Sequence, residues 1–155
     1  MKLLVDTSVW SLALRRKDAG SLSPDEQKLK AELVQAIQDG RVAMLGLIRQ
    51  ELLSGIREKT QFDKVKGALD AYLDEAISTA DHEYAARIYN ECRNEGVATG
   101  TVDILICALA VSRGWEVLSG DGNLKSCLAI AKKFHKKQKI ASTEAARSRR
   151  TFRKS

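Results

Sequence analysis

Three short apolar runs, separated by stretches with helical spacing, constrain the fold of this chain more than any other feature. They are KLLVD (2–6), RVAMLG (41–46) and WEVLSGD (115–121), and EAIST (75–79) is a weaker fourth. Runs of this length, bounded by turn residues, are typical of strands in a buried sheet. Strands that alternate with helices form parallel sheets with helices packed against them. We therefore predict an α/β fold with a short central parallel sheet flanked by helices on both faces.

The stretches between these runs carry helix signals. The clearest begins with Ser23 as N-cap and Pro24 in the first turn, and ends near Gly40 as C-cap. The same reasoning predicts further helices over 7–16, 47–58, 62–74, 81–96 (with Asp81 as N-cap), 101–113 and 122–134. Beyond about Lys136 the apolar periodicity ends, so we expect a poorly ordered tail there.

Composition limits the class of protein. The chain has 155 residues, 44% of them hydrophobic and 30% charged, which is typical of one globular domain. The longest uncharged apolar run, 104–111, is far shorter than the roughly 18–20 residues of a membrane helix. The N-terminus becomes acidic at Asp6, before a signal-peptide core is complete. We expect a cytoplasmic protein without a membrane partner. Three unclustered cysteines and two histidines predict neither a disulfide framework nor a zinc site.

Charge is distributed unevenly along the sequence. Residues 131–155 contain ten Lys and Arg and one acid, a net charge of +9, whereas residues 1–130 have a net charge of −3. We divide the chain into a domain over 1–135 and a basic tail over 136–155. Such a tail suits a polyanion such as a nucleic acid backbone. A solvated end that only keeps the protein soluble is the alternative.

Four acids fall where the carboxyl ends of the predicted strands meet. Asp6 and Asp121 end strands, Glu51 lies in the helix after the second strand, and Asp103 opens the apolar helix over 101–113. Ligands of parallel sheets bind at this edge. Singly, each acid has a structural explanation as a helix cap, a helix-dipole partner or a surface residue. Together they would raise one another's pKa values, and a hard divalent cation such as Mg²⁺ or Mn²⁺ would remove that conflict. We therefore expect metal-assisted chemistry on a phosphodiester.

The residues around these acids resemble a known family. LLVDTSVW (3–10), RQELLSG (49–55), TVDILICALA (101–110) and VLSGD (117–121) are similar, in order and spacing, to the PIN-domain ribonucleases. The likeness is greatest to the VapC-type toxins of toxin–antitoxin pairs, and it covers roughly residues 1–135. It implies a PIN-like fold and an endoribonuclease that hydrolyses RNA with one or two Mg²⁺ or Mn²⁺ ions.

The resemblance also implies roles for individual residues. The catalytic and metal-binding set would be Asp6, Glu51, Asp103 and Asp121. Ser8 and Asn123 would support them, although many family members carry a second acid where this chain has Asn123, which makes a second metal less secure. Candidate RNA contacts are Arg49, Lys132, Lys133, Lys136 and Lys137. The implied partners are an RNA such as tRNA or ribosomal RNA, a cognate antitoxin protein and a second copy of the chain in a homodimer.

Two other functions are considered. One is a non-catalytic RNA-binding module of the same fold, which would use the basic tail. The other is a haloacid-dehalogenase-type phosphatase, suggested by VDTS near the N-terminus and SGDGN later. That enzyme class requires a second aspartate where Ser8 stands, and it leaves Glu51 and Asp103 without a role.

Overall fold

The strong apolar runs pair in one three-stranded parallel sheet. In the computed structural model, which describes residues 1–15 and 19–153, the strands are β1 (Leu3–Val5), β2 (Val42–Ala43) and β3 (Glu116–Leu118). Their order is β2–β1–β3, with Leu4 aligned to Ala43 on one side and to Val117 on the other. All three residues of β1 are buried, and successive side chains point to opposite faces, so both faces of the sheet are covered. The predicted α/β architecture is confirmed.

Helices cover the sheet in two packed groups. In the first group, α1 packs against α2 and α3, and α3 packs against α4. In the second group, α5, α6 and α7 pack against one another. Their bounds are α1 Thr7–Leu14, α2 Pro24–Gln38, α3 Gly46–Leu53, α4 Lys59–Leu69, α5 Thr79–Asn94, α6 Thr101–Arg113 and α7 Gly122–Phe152, with a 3-10 turn at Ala19–Ser21. The helix predicted over 7–16 is observed as far as Leu14, and position 16 lies outside the described residues.

Local sequence signals fix α2 and α6. At the start of α2, Ser23 and Glu26 form a capping box, in which each side chain accepts a hydrogen bond from the other's backbone N–H. Gly114 ends α6 with a φ of 69°, a left-handed conformation that glycine adopts without steric cost. Between its ends, α6 is buried from Ile104 to Ala110, so this helix is the centre of its group and its first turn is held firmly.

The weak fourth strand is wrong. In the described residues, only an isolated bridge joins Met44 to Asp74, and the N–H of Glu75 donates to Met44 O at 2.8 Å. The chain then enters α5, whose N-cap is Ser78 rather than the predicted Asp81. Asp81 is the third helical residue, and its carboxylate accepts from Ser78 N at 2.9 Å as the second half of a capping box. The helix therefore begins one turn earlier than predicted, with the Ser78 hydroxyl as its cap.

The helix predicted over 62–74 begins and ends earlier. Glu58 caps α4 by accepting from Thr60 N and Gln61 N, and the helix ends at Leu69. Leu73, which the pattern assigned to the apolar face, is 91% exposed. The periodic pattern therefore extended past the real end of the helix.

The last helix is much longer than predicted. Its buried residues end at Ala131, yet α7 continues to Phe152, through the segment expected to be poorly ordered beyond Lys136. That segment has no Gly or Pro and is rich in Lys, Arg and Ala, which are good helix formers. Because it extends a packed helix, it needs no new nucleus. No helix in the described ranges is both long enough and apolar enough to span a membrane.

Candidate functional site

Asp6 is a buried carboxylate at the end of β1. Its side chain is 6% exposed, and no ion pair in the described part of the chain neutralises it. It occupies the N-cap position of α1, but its side chain makes no capping hydrogen bond. Instead, Oδ2 accepts from Ser8 Oγ at 2.7 Å and from Ser119 Oγ at 2.9 Å. The sequence alternative of a simple helix cap therefore does not describe this residue.

Asp103 lies in the first turn of α6 and faces the other acids. Burial raises its pKa to about 6, and the negative charges of Asp6, Asp121 and Glu51 add to the shift. The Thr99 hydroxyl, which donates to Asp103 Oδ2 at 3.3 Å, acts in the opposite direction. A residue placed only to complement the helix dipole would have a lowered pKa. The raised pKa therefore indicates that the four acids share one electrostatic environment.

Glu51 and Asp121 are the exposed members of this set. Glu51 Oε2 accepts from Thr7 Oγ1 at 2.6 Å, which links α3 to the start of α1. Asp121 does not end a strand as predicted, because β3 stops at Leu118. It is the N-cap of α7, and its Oδ1 accepts from Asn123 N at 2.8 Å and Leu124 N at 3.2 Å. Asp121 thus combines a capping role with a charge that acts on Asp103.

The donor chemistry of the four acids suits a hard cation. Among residues 1–15 and 19–153, no three His, Cys, Asp or Glu side chains are grouped so that they could hold a metal ion. Each carboxylate is instead hydrogen-bonded by its own neighbour: a serine pair, two threonines or the α7 backbone. All four supply oxygen ligands, the type that Mg²⁺ and Mn²⁺ take.

Ser119 is a functional candidate that the sequence reasoning missed. It is 5% exposed, donates to Asp6 and accepts from Asp121 N at 3.0 Å, so it connects two of the acids. The small polar residue two positions before Asp121 in VLSGD was the available signal.

An open groove of about 790 Å³ lies beside Ser119 and is lined by Ser8, Ser119, Asp121 and Lys125 among others. Solvent therefore reaches the acidic cluster from this side.

Arg49 is tied into the fold rather than turned toward the acids. Its guanidinium donates to Asp74 Oδ1 at 2.9 and 3.1 Å, to Leu69 O at 3.0 Å and to Tyr72 O at 2.6 Å. These bonds hold the end of α4 and the chain that follows it. The predicted contact with an RNA phosphate would require this network to break.

The other predicted supporting and RNA-binding residues lie in two places. Ser8 is bonded to Asp6, and Asn123 is exposed and contacts Asp121 through its backbone N–H. The predicted lysines, Lys132, Lys133, Lys136 and Lys137, are exposed on α7, well beyond Asp121.

Comparison with known families decides the assignment. A family model described as PIN domain matches residues 3–127. The chain belongs to the PIN-domain family. PIN domains are generally metal-dependent nucleases, so membership indicates a nuclease or RNA-related function. No curated protein matches the sequence. With Ser8 bonded to Asp6 in the position where a phosphatase would need an aspartate, the haloacid-dehalogenase alternative is set aside.

Replacing Asp103 is expected to stabilise the metal-free PIN domain in a pH-dependent way. Because the folded-state pKa is about 6, above the ordinary value of 3.8, ionisation of Asp103 reduces stability as pH rises from about 4 to 6. Asp103→Asn should raise the free energy of unfolding by about 1 kcal/mol at pH 7.5, after allowance for solvent screening, and by little at pH 4. Urea unfolding in EDTA at both pH values measures this.

The control for that experiment is Asp63→Asn, since Asp63 is an exposed acid on α4. It should change stability by less than about 0.5 kcal/mol at either pH. An Asp103→Asn variant that is less stable than the wild type at pH 7.5 would contradict the shared electrostatic environment.

Arg49→Gln tests whether this residue is structural. Loss of the four hydrogen bonds should lower the free energy of unfolding by about 1–3 kcal/mol. RNA affinity per folded molecule should be unchanged. Normal stability combined with weaker RNA binding would restore the phosphate-contact prediction.

Proposed function

We propose that the chain is a metal-dependent endoribonuclease that hydrolyses RNA phosphodiester bonds. The observation that supports this most strongly is the partly buried Asp103, whose pKa is raised in part by Asp6, Asp121 and Glu51, in a PIN domain. Charges of one sign that share an edge of the sheet reduce stability, so a purely structural role does not explain them. A divalent cation bound by these carboxylates, and a phosphodiester bound to that cation, would explain why the charges lie together.

In this proposal Asp6 and Asp103 are the main ligands of Mg²⁺ or Mn²⁺. Both serine hydroxyls bond to Oδ2 of Asp6, and no hydrogen bond of the described residues ends on Oδ1, which suits a ligand atom. Glu51 and Asp121 would bind the ion directly or through water. When bound, the ion would neutralise the carboxylates and stabilise negative charge on the reacting phosphoryl group.

The proposed reaction is hydrolysis with loss of the 3′ oxygen. The oxygen of a water molecule attacks phosphorus, and the bond from phosphorus to O3′ breaks, so that the products carry a 5′ phosphate and a 3′ hydroxyl. Glu51 and Asp121, the exposed acids, are the side chains available to orient the water and accept its proton. Asp6, held by two hydroxyls, would keep its position throughout.

We further propose that the chain is the toxin of a VapBC-type toxin–antitoxin pair. The motifs around all four acids support this assignment. The expected partners are a structured RNA such as tRNA or ribosomal RNA, an antitoxin that places a basic side chain among the acids, and a second copy of the chain. A cytoplasmic location belongs to the same proposal.

A non-catalytic RNA-binding module is the second candidate. The observation in its favour is that no three acids in the described residues form a ready metal cluster. The two candidates differ in whether RNA is cleaved when Mg²⁺ or Mn²⁺ is supplied.

Asp103→Asn is expected to reduce cleavage at least about a hundredfold while the protein remains folded. The measurement is cleavage of total tRNA and ribosomal RNA by purified protein with Mn²⁺ or Mg²⁺, and again with EDTA, which should stop it. Asp63→Asn is the matched control and should cleave as the wild type does. Wild-type cleavage by Asp103→Asn would overturn the site, and no metal-dependent cleavage of any RNA would favour the binding module.

Ser119→Ala tests the positioning of Asp6. Loss of its hydroxyl leaves Asp6 with one donor and frees the Asp121 backbone, so the Mg²⁺ concentration for half-maximal cleavage should rise about tenfold or more. Ser126→Ala, an exposed serine of α7, is the control. An unchanged Mg²⁺ requirement in Ser119→Ala would remove Ser119 from the site.

A further inference from the structure

The cations of α7 lie on one face of the helix. The family match ends at residue 127, whereas α7 continues to Phe152. At about 3.6 residues per turn, six cations fall within an arc of about 80°. We call them the basic face: Lys125, Lys132, Lys136, Lys139, Arg147 and Arg150.

Contacts in the structure agree with this helical placement. Lys132, Lys136 and Lys139 line the same groove beside Trp115, which precedes β3. Lys125 lines the groove that contains Asp121. From Lys125 to Arg150 the face extends about 38 Å, at about 1.5 Å per residue. The basic face therefore starts at the candidate site and continues away from it along the same helix.

The basic face has no ion-pair partner in the described part of the chain. All six cations are exposed, and none forms an ion pair in the described ranges. The only acid of α7, Glu144, projects about 80° away from Lys136. Like charges three and four residues apart, such as Lys132 and Lys136, destabilise a helix. The repulsion slightly opposes helix stability, and a polyanionic ligand would relieve it.

We propose that the basic face binds the phosphate backbone of base-paired RNA. This inference rests on the proposed function, because it takes RNA as the ligand. A protein partner would be expected to use several apolar anchors. Between Lys132 and Arg150 this arc contains only cations and Thr143, and the exposed Ile140 lies just outside its edge. Single strands are bound largely by stacking on aromatic rings. Phe152, the only aromatic residue of the exposed half, projects from the opposite side of the helix.

Double-stranded RNA is recognised by shape and phosphate contacts, which a straight row of cations supplies. The basic face would thus select substrates in which a duplex segment extends from the cleaved strand. Of the predicted RNA contacts, Lys132 and Lys136 belong to the face, whereas Lys133 and Lys137 lie outside it.

The test compares two double variants of equal charge in the same helix. Lys136→Gln with Arg147→Gln removes two cations of the basic face, and Lys137→Gln with Arg149→Gln removes one Lys and one Arg from outside it. Binding to an RNA duplex of about 20 base pairs and to polyuridylate of about 20 nucleotides is measured in EDTA over a range of salt concentrations. The first variant should lose at least about fivefold in duplex affinity and about two in salt slope. The second should change duplex affinity less than about twofold.

Three outcomes would overturn the inference. Equal losses of duplex affinity in both variants would show that binding depends on the total charge of α7 and not on the basic face. Equal affinity for the duplex and for polyuridylate would show that the protein does not select base-paired RNA. Tighter binding to polyglutamate than to the duplex would assign the face to an acidic protein. Because EDTA prevents metal-dependent cleavage, these results do not depend on the nuclease proposal. A protein that cleaves no RNA can still bind duplex through this face, and a cleaving protein can lack the selectivity.

Discussion

The pairing of β1 with β3 is the interaction on which the candidate site depends. The N–H of Asp6 donates to Leu118 O at 2.9 Å, and this backbone bond brings Asp6 within reach of the Ser119 hydroxyl. Residues 6 and 119 are far apart in sequence, so only the crossover of a parallel sheet joins them. The Ser119 hydroxyl oxygen in turn accepts a hydrogen bond from the N–H of Asp121, the N-cap of α7. The pairing of β1 with β3 thus fixes the position of the buried Asp6 and the point at which α7 begins.

The site also illustrates a balance between stability and chemistry. Asp6 is buried with hydroxyl donors rather than a cation, and Asp103 has a pKa of about 6 as a result of burial and its acidic neighbours. Hydroxyl donors lower the cost of burying a carboxylate without neutralising its charge. The remaining repulsion is a cost that the apolar packing of α6 offsets, since that helix is buried from Ile104 to Ala110. A firmly packed helix is thus what allows Asp103 to face other acids.

The sequence predicted the features that depend on strong local signals. Buried β1, the capped start of α2 and the end of α6 at Gly114 follow from apolar runs, a Ser–Pro pair and a left-handed glycine. The errors have another origin, since each depended on a contact distant in sequence or on competing local donors. Arg49 was a candidate RNA contact until its carbonyl partners at and after the end of α4 were known. Ser78 rather than Asp81 is the N-cap of α5 because its hydroxyl accepts from the first turn of the helix.

The length of α7 was missed for a different reason, and it bears on function. Apolar periodicity reports burial, not helicity, so it ends near Ala131 where the helix leaves the core. Beyond that point the pattern that persists is one of charge, with the spacing of a helix and no apolar face to reveal it. Because a single helix connects Asp121 to Arg150, the distance between the acidic cluster and the far end of the basic face is fixed by backbone hydrogen bonds rather than by a flexible linker. If the two proposals hold, an RNA that contacted both would have to present its cleaved strand and its duplex at a set separation. The helix would then act on the choice of substrate through geometry rather than through affinity alone.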